Sequence, residues 1–220
     1  MKCKAVFWDF DGVILDSVNI KTNAFAQMFR KYGPEIEKQV VNYHLLNGGI
    51  SRIKKFEFYH NVLLSNKKTQ NELDKLCKKF SDIVFKEILS CPMIPGAMKT
   101  LAFLKQKNIL SFVLSGTPQD ELKKIIELRK LKDYFLEIYG SPMKKEKMIE
   151  ILINNYKLTP EKCLFIGDAL TDFHAAKSFN IPFLGIVPDF SRSPFPEKTW
   201  INKKVCLDKP KGHDLPDLGN

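Results

Sequence analysis

Asp9 and Asp11 stand two residues apart at the end of the apolar run Ala5-Val6-Phe7-Trp8, and Gly12 follows at once. Along a strand, residues spaced by two share a face, and at the strand's end the chain turns. Two carboxylates held this close repel each other, so a positive charge should stand beside them. A hard divalent cation such as Mg²⁺ takes oxygen ligands of this kind. The chemistry suggested is metal-assisted phosphoryl transfer, provided the rest of the chain supplies the other parts.

Three further segments offer those parts. Ser115-Gly116-Thr117 follows the apolar run Phe112–Leu114. Two hydroxyls around a glycine at a strand-to-helix turn can converge O–H and N–H donors on a phosphate, although such turns also serve as plain helix caps. Gly140-Ser141-Pro142-Met143-Lys144-Lys145 lies between a strand and a helix. A lysine there can offset the carboxylates and hold a transferring phosphoryl group. An exposed lysine pair at a helix start is the plainer alternative, and the helix dipole disfavours it. In Phe165-Ile166-Gly167-Asp168-Ala169-Leu170-Thr171-Asp172, Asp168 can ligate a hard metal and Asp172 can orient a neighbour. Asp172 also fits as a simple acid in a first helical turn.

The elements that must position these residues read as follows. Strand-like runs are Ala5–Phe7, Ile109–Leu114, Phe135–Tyr139, Cys163–Ile166 and Pro182–Val187; helical periodicity covers Glu121–Leu128, Glu146–Tyr156 and Asp172–Phe179. Alternating strands and helices imply an α/β fold, a doubly wound parallel sheet with helices on both faces. Ligands of such sheets bind at the carboxyl ends of the strands. Residues 16–92 interrupt the alternation with helical patterns alone, over Val18–Tyr32, Val40–Leu46, Ser51–Leu64 and Asn71–Leu89. This block is expected to form an α-helical cap inserted into a core of residues 1–15 and 93–208. Hinges are expected near Asp16 and Pro92, and a mobile tail over 209–220.

Composition narrows the classes. The 220 residues carry 44% hydrophobic residues, ordinary for a globular chain, and no stretch reads as a leader or a bilayer span. A soluble cytoplasmic protein with no membrane partner is expected. Five scattered cysteines without a C-x-x-C pair argue against a disulfide framework and a structural zinc site. The net charge of +10 comes from short lysine pairs spread along the chain. That pattern describes a solvated surface rather than a nucleic-acid face, although it can draw anionic substrates toward a cleft.

Together these residues resemble the haloacid dehalogenase-like superfamily of phosphohydrolases, from Val6 to about Val187. The resemblance rests on Asp9-Phe10-Asp11-Gly12-Val13, on Ser115-Gly116-Thr117 and on Gly167 to Asp172, with a looser lysine motif. It implies a Rossmann-like core and the capped branch that includes phosphoglycolate and sugar-phosphate phosphatases. By similarity, Asp9 is the nucleophile that forms an aspartyl-phosphate and Asp11 the general acid and base. Mg²⁺ would bind the Asp9 carboxylate, the Asp11 backbone carbonyl and Asp168. Ser115 would donate to the phosphoryl group, Lys145 would neutralise it (Lys144 is the alternative), and Asp172 would support the lysine or the metal shell. Gly116 and Thr117 would add contacts. The loop Asn47-Gly48-Gly49-Ile50-Ser51-Arg52 resembles a substrate-specificity loop, with Ser51 and Arg52 as substrate-binding residues.

Within that resemblance Gly167 favours a phosphatase, because the sugar phosphomutases of the branch commonly carry Glu before the fourth-motif Asp. Asp11 speaks against dehalogenases. Arg52 speaks against the Schiff-base phosphonate hydrolases, though Lys54 and Lys55 are close by. The expected partner is a small phosphorylated metabolite, and the expected state a monomer or weak homodimer. A phosphomutase is the alternative; a catalytically silent binding domain is the alternative from another class.

Overall fold

A computed structural model describes residues 2–207. Six strands form one parallel sheet: β1 Ala5–Trp8, β2 Leu110–Pro118, β3 Glu137–Ser141, β4 Cys163–Gly167, β5 Phe183–Ile186 and β6 Trp200–Asn202. Their spatial order is β3-β2-β1-β4-β5-β6, so the sequence reverses direction across the sheet beside β1. The strands read as nearly unbroken apolar runs because both faces are covered. On one face Ala5, Phe7, Phe112, Leu114 and Phe165 pack against α7 (Lys145–Tyr156) and α8 (Leu170–Ser178). On the other, Val6, Trp8, Val113, Leu164 and Ile166 meet α5 (Ala97–Gln106) and α6 (Gln119–Leu128). The alternation of neighbouring residues between the two clusters is the period of two that a strand imposes.

The doubly wound α/β expectation is met. Two elements lie outside it: α5, whose Leu101 and Leu104 complete the second face, and β6, a three-residue edge strand after the Pro194–Pro196 turn region. β2 also runs further than expected, through Ser115-Gly116-Thr117 to Pro118, with a register shift after Leu114. The expectation for residues 209–220 lies outside the described residues.

Between β1 and β2 the chain forms α1 (Val18–Phe29), α2 (Pro34–Leu46), α3 (Arg52–Phe58, continued by a π turn over Tyr59–Leu63) and α4 (Gln70–Ser90). α2 starts six residues before the expected Val40, because Pro34 occupies its first turn with Glu35 and Glu37. Thr69 and Glu72 close a capping box at the start of α4. Phe25, Phe29, Phe56, Tyr59 and Phe80 pack at the centre of this block, Phe25 and Phe80 with centroids 4.3 Å apart. Its two crossings to the sheet run side by side: the Asp16 amide donates to the Pro92 carbonyl at 3.0 Å, and the Ile94 amide to that of Ile14 at 3.0 Å. Arg129, just past α6, donates to the carbonyls of Leu89 (2.9 Å) and Cys91 (2.7 Å), closing the C-terminus of α4.

Candidate active site

Asp9 follows β1, and its amide still donates to the Ile166 carbonyl of β4 at 2.9 Å, which fixes it at the carboxyl edge of the central strands. Lys145, the first residue of α7, donates its Nζ to Asp9 Oδ1 at 2.7 Å and to Asp172 Oδ1. All three side chains are buried. A cation at a helix N-terminus is unfavourable by itself, and these two carboxylates account for its presence. Lys144, by contrast, is exposed. Asp172 does two jobs at once: Oδ1 holds Lys145, while Oδ2 accepts the Ala169 amide at 3.1 Å and caps α8. The helix-acid reading and the site reading of Asp172 are therefore both met.

Asp168 lies beside them. Carboxylate oxygens of Asp9, Asp168 and Asp172 all fall within 4.8 Å of one another. Gly12 makes room for this: its φ is +79°, and a Cβ there would stand 2.2 Å from Asp168 Oδ2. Asp168 is thus pressed against the Asp11–Gly12 backbone. Gly167 makes room for Asp172, whose Cβ a side chain at 167 would approach to 2.4 Å.

Asp11 points elsewhere. It accepts from Ser17 Oγ at 2.6 Å, from Thr117 Oγ1 at 2.9 Å and from Lys21 Nζ. Lys21 also donates to Thr117 Oγ1 at 2.8 Å. Thr117, expected near a phosphate, is therefore engaged with Asp11. Ser115 is fully buried, and its Oγ accepts the Thr117 amide at 3.1 Å, which leaves its own proton to donate. Ser17 and Lys21 were not among the residues singled out in the sequence. The available signal is that Ser17 stands at the N-cap of α1 and Lys21 one turn into that helix, at a spacing of four.

Electrostatics follow from this geometry. Burial raises Asp168 well above the usual carboxylate range, and Asp9 and Asp172 add to it. Burial also pushes Asp172 up to about 7, against the pull of the Lys145 ammonium. Burial works against the charge of Lys145, but Asp172 and Asp9 outweigh it and hold the ammonium above its ordinary value. For Asp11, burial is likewise outweighed, by Lys21 first and by the Ser17 and Thr117 hydroxyls, so its carboxyl lies below the usual range. With Asp11 paired to Lys21, the three carboxyl groups of Asp9, Asp168 and Asp172 crowd the single ammonium of Lys145, and with all of them ionised the cluster would carry two excess negative charges. A divalent cation would balance them. The donor set, all oxygen, suits Mg²⁺.

The glycine loop reaches this site. Thr171 Oγ1 donates to the Gly48 carbonyl at 2.9 Å. A Cβ on Gly49 would lie 2.0 Å from Thr171 Oγ1 and 3.8 Å from Lys145 Nζ, and one on Gly116 would lie 2.6 Å from the Gly49 carbonyl oxygen. Gly116 near the end of β2 and Gly49 in the glycine loop thus allow a close backbone approach between the two segments. Ser51 stands at the N-cap of α3 without a capping bond. Arg52 turns away from the acidic cluster. Its Nη1 and Nη2 donate to the two oxygens of Glu121 on α6, at 2.8 and 2.7 Å, while Ser81 on α4 joins the pair and Phe80 lies under the guanidinium at 4.7 Å.

A buried acidic cluster with a bridging lysine thus stands at the carboxyl edge of a doubly wound sheet, where such folds bind their ligands. A family model for "haloacid dehalogenase-like hydrolase" matches residues 6–186, and the chain belongs to that family. A "phosphorylated carbohydrates phosphatase" of Thermotoga maritima is 24% identical over 186 residues, 81% of this chain and 82% of its own. A "phosphoglycolate phosphatase" of Vibrio vulnificus is 25% identical over 192 residues, 83% of each. Among solved structures, a β-phosphoglucomutase of Clostridium difficile superposes with a TM-score of 0.73 at 19% identity, covering 92% of this chain and 91% of that one. Among the described residues, no helix is long and apolar enough to cross a membrane.

Proposed function

We propose that this chain is a Mg²⁺-dependent phosphatase of a small phosphorylated metabolite, a sugar phosphate or a phosphoglycolate-like ester, working through an aspartyl-phosphate on Asp9. The coarser assignment, a phosphoric monoester hydrolase, rests on the family match and on relatives that are phosphatases. The observation that carries the finer reading is Lys145 bridging Asp9 and Asp172 with Asp168 alongside.

Asp9, the Asp11 carbonyl and Asp168 would hold the metal, which when bound screens the charge of nucleophile and phosphate. An Asp9 oxygen attacks phosphorus as the bond to the leaving oxygen breaks, and protonated Asp11 gives its proton to that oxygen. Asp11, now a carboxylate, takes a proton from water, the water oxygen attacks phosphorus, and the bond to Asp9 breaks. Asp11 must be neutral in the first step and ionised in the second, and its partners Lys21, Ser17 and Thr117 stabilise the ionised form. Lys145 and the Ser115 hydroxyl would neutralise and orient the phosphoryl oxygens, with Asp172 holding the lysine and Gly116 offering backbone contact. Residues 16–92 would act as a cap that closes over the site and excludes water in excess. The phosphatase reading is preferred to a mutase because Gly167 precedes Asp168, the pattern the resemblance associates with phosphatases, and because the two relatives named above are phosphatases.

The test is release of inorganic phosphate from p-nitrophenyl phosphate and a panel of small phosphate esters with Mg²⁺, with EDTA and Asp9→Asn as controls. Isomerised sugar phosphate without free phosphate would replace this reading by the mutase.

A further inference from the structure

The acidic cluster occupies the carboxyl edge of the sheet. A cleft of about 540 Å³ opens at the other end of the strands, where β5 and β6 begin. Phe173, Lys177 and Asn180 line it from α8 and the turn that follows, and Lys198, Thr199 and Trp200 line it from the entry to β6. No residue of the acidic cluster takes part. The size is that of a small-molecule site, and so is the make-up, an apolar bed with a few polar groups. That bed is fixed. Phe173, Phe183 and Phe195 pack edge to face, with centroids 5.5 Å apart for Phe173 and Phe183 and 5.1 Å for Phe183 and Phe195. Phe183 and Phe195 are buried, while Phe173 stays half-exposed. The turn is fixed as well: the Ile181 amide donates to the Ala176 carbonyl at 2.9 Å, and Asn180 holds a φ of +55°.

The polar groups of the cleft have no partners of their own. Lys177 and Lys198 are exposed, and neither pairs with a carboxylate among the described residues. No carboxylate lines the cleft. The last turn of α8 favours a cation at 177 through the helix dipole, but Lys198 belongs to no helix. Asn180 serves the turn with its backbone, and its amide group, like the Thr199 hydroxyl, makes no hydrogen bond among the described residues. Both side chains can donate and accept. A ring face, a donor–acceptor edge and two cations therefore line one cleft.

We propose that this cleft is a second binding site, for a nucleotide. The heterocycle lies on the Phe173 ring, its edge meets Asn180 and Thr199, and its phosphate is drawn to Lys177 and Lys198. A plain aromatic acid would leave the two neutral polar groups unused, and an inorganic anion would leave the ring uncovered. Stacking of this kind accepts any base, so adenosine monophosphate serves as the probe. The site does not depend on the phosphatase reading.

The experiment is a heteronuclear NMR titration of the Asp9→Asn protein, so that the ester is not consumed, with adenosine monophosphate, adenosine and ribose 5-phosphate. The monophosphate should shift the Trp200 indole and the amides of Phe173, Lys177 and Thr199. It should bind at least about 10-fold more tightly than either fragment, because it makes both kinds of contact. An exposed cation is worth up to about 5-fold. Lys177→Met combined with Lys198→Met should therefore weaken the monophosphate by about 10-fold and leave adenosine as it was. Lys123→Met, exposed on α6, should change neither. Shifts confined to the surroundings of Asp9 and Asp168 would assign the monophosphate to the active site and overturn the proposal. Fragments that bind as tightly as the monophosphate, a double variant with unchanged affinity, or no shift at millimolar monophosphate overturn it as well.

Discussion

Arg52→Met should act on closure of the helical block rather than on substrate contacts. In the structure Arg52 makes a bidentate pair with Glu121, at 2.7 and 2.8 Å, with side chains only 6% and 10% exposed. Glu121 also receives the Ser81 hydroxyl at 2.6 Å. Arg52 and Ser81 belong to the inserted helices and Glu121 to α6, so the pair spans the two layers. Removing one partner of a buried pair costs about 3–5 kcal/mol if the other stays buried. The block can swing open instead and let Glu121 rehydrate, which limits the loss to the free energy of opening. One retained hydroxyl bond reduces it further, so about 1.5–3 kcal/mol is expected, a shift of roughly 10–100-fold toward the open form. Hydrogen exchange at residues 47–52 measures this directly, and a double-mutant cycle with Glu121→Gln isolates the pair. If the pair is a latch, each single variant raises exchange and KM to a similar degree and the double variant is no worse than either. If Arg52→Met raises KM while Glu121→Gln does not, and the two effects add, Arg52 serves the substrate and the latch argument is wrong.

Lys145→Met should lower kcat by at least about 100-fold, as loss of an oxyanion-type stabiliser does, whereas Lys144→Met should keep kcat within a few-fold; equal effects of the two would misassign the motif lysine. Mg²⁺ at about 100 times its Kd should stabilise the chain by about 2.7 kcal/mol, a rise of roughly 5–10 °C in Tm, and Asp168→Asn should remove most of that rise in a thermal melt. Lys55 has a folded value of about 7 against 10.5 for the free side chain, so between those pH values the unfolded chain binds the extra proton. Its contribution is least favourable below pH 7 and improves by up to about 1.4 kcal/mol per pH unit as pH rises. Lys55→Met should therefore be more stable than the wild type at pH 7, with the advantage shrinking toward pH 9.5; urea titrations that show a constant difference would contradict the buried-ammonium account.

The parts legible in the sequence were those written by local rules. Strand runs that alternate between two apolar faces, and acids or hydroxyls placed where such runs end, are consequences of period and turn chemistry, so Asp9, Ser115, Lys145, Asp168 and Asp172 fall together at one sheet edge. β6 escaped because three residues at an edge carry no period, and α5 because its short apolar stripe follows directly on the Pro92–Gly96 hinge. Asp172 shows that two readings of one residue need not compete: one oxygen caps α8 while the other holds Lys145.

What stayed hidden depended on which element the chain laid over the site. Lys21, Lys55 and Arg52 are all basic residues of the inserted helices, and nothing in their local sequence separates them. The fold pairs Lys21 with Asp11 and Arg52 with Glu121, while Lys55 has no ion-pair partner among the described residues. Glu121 reads in the sequence as an ordinary first-turn acid of α6, and only the approach of α3 and α4 makes it a partner. The same approach explains why Gly48 and Gly49 are glycines, since side chains there would strike Ala169 and Thr171.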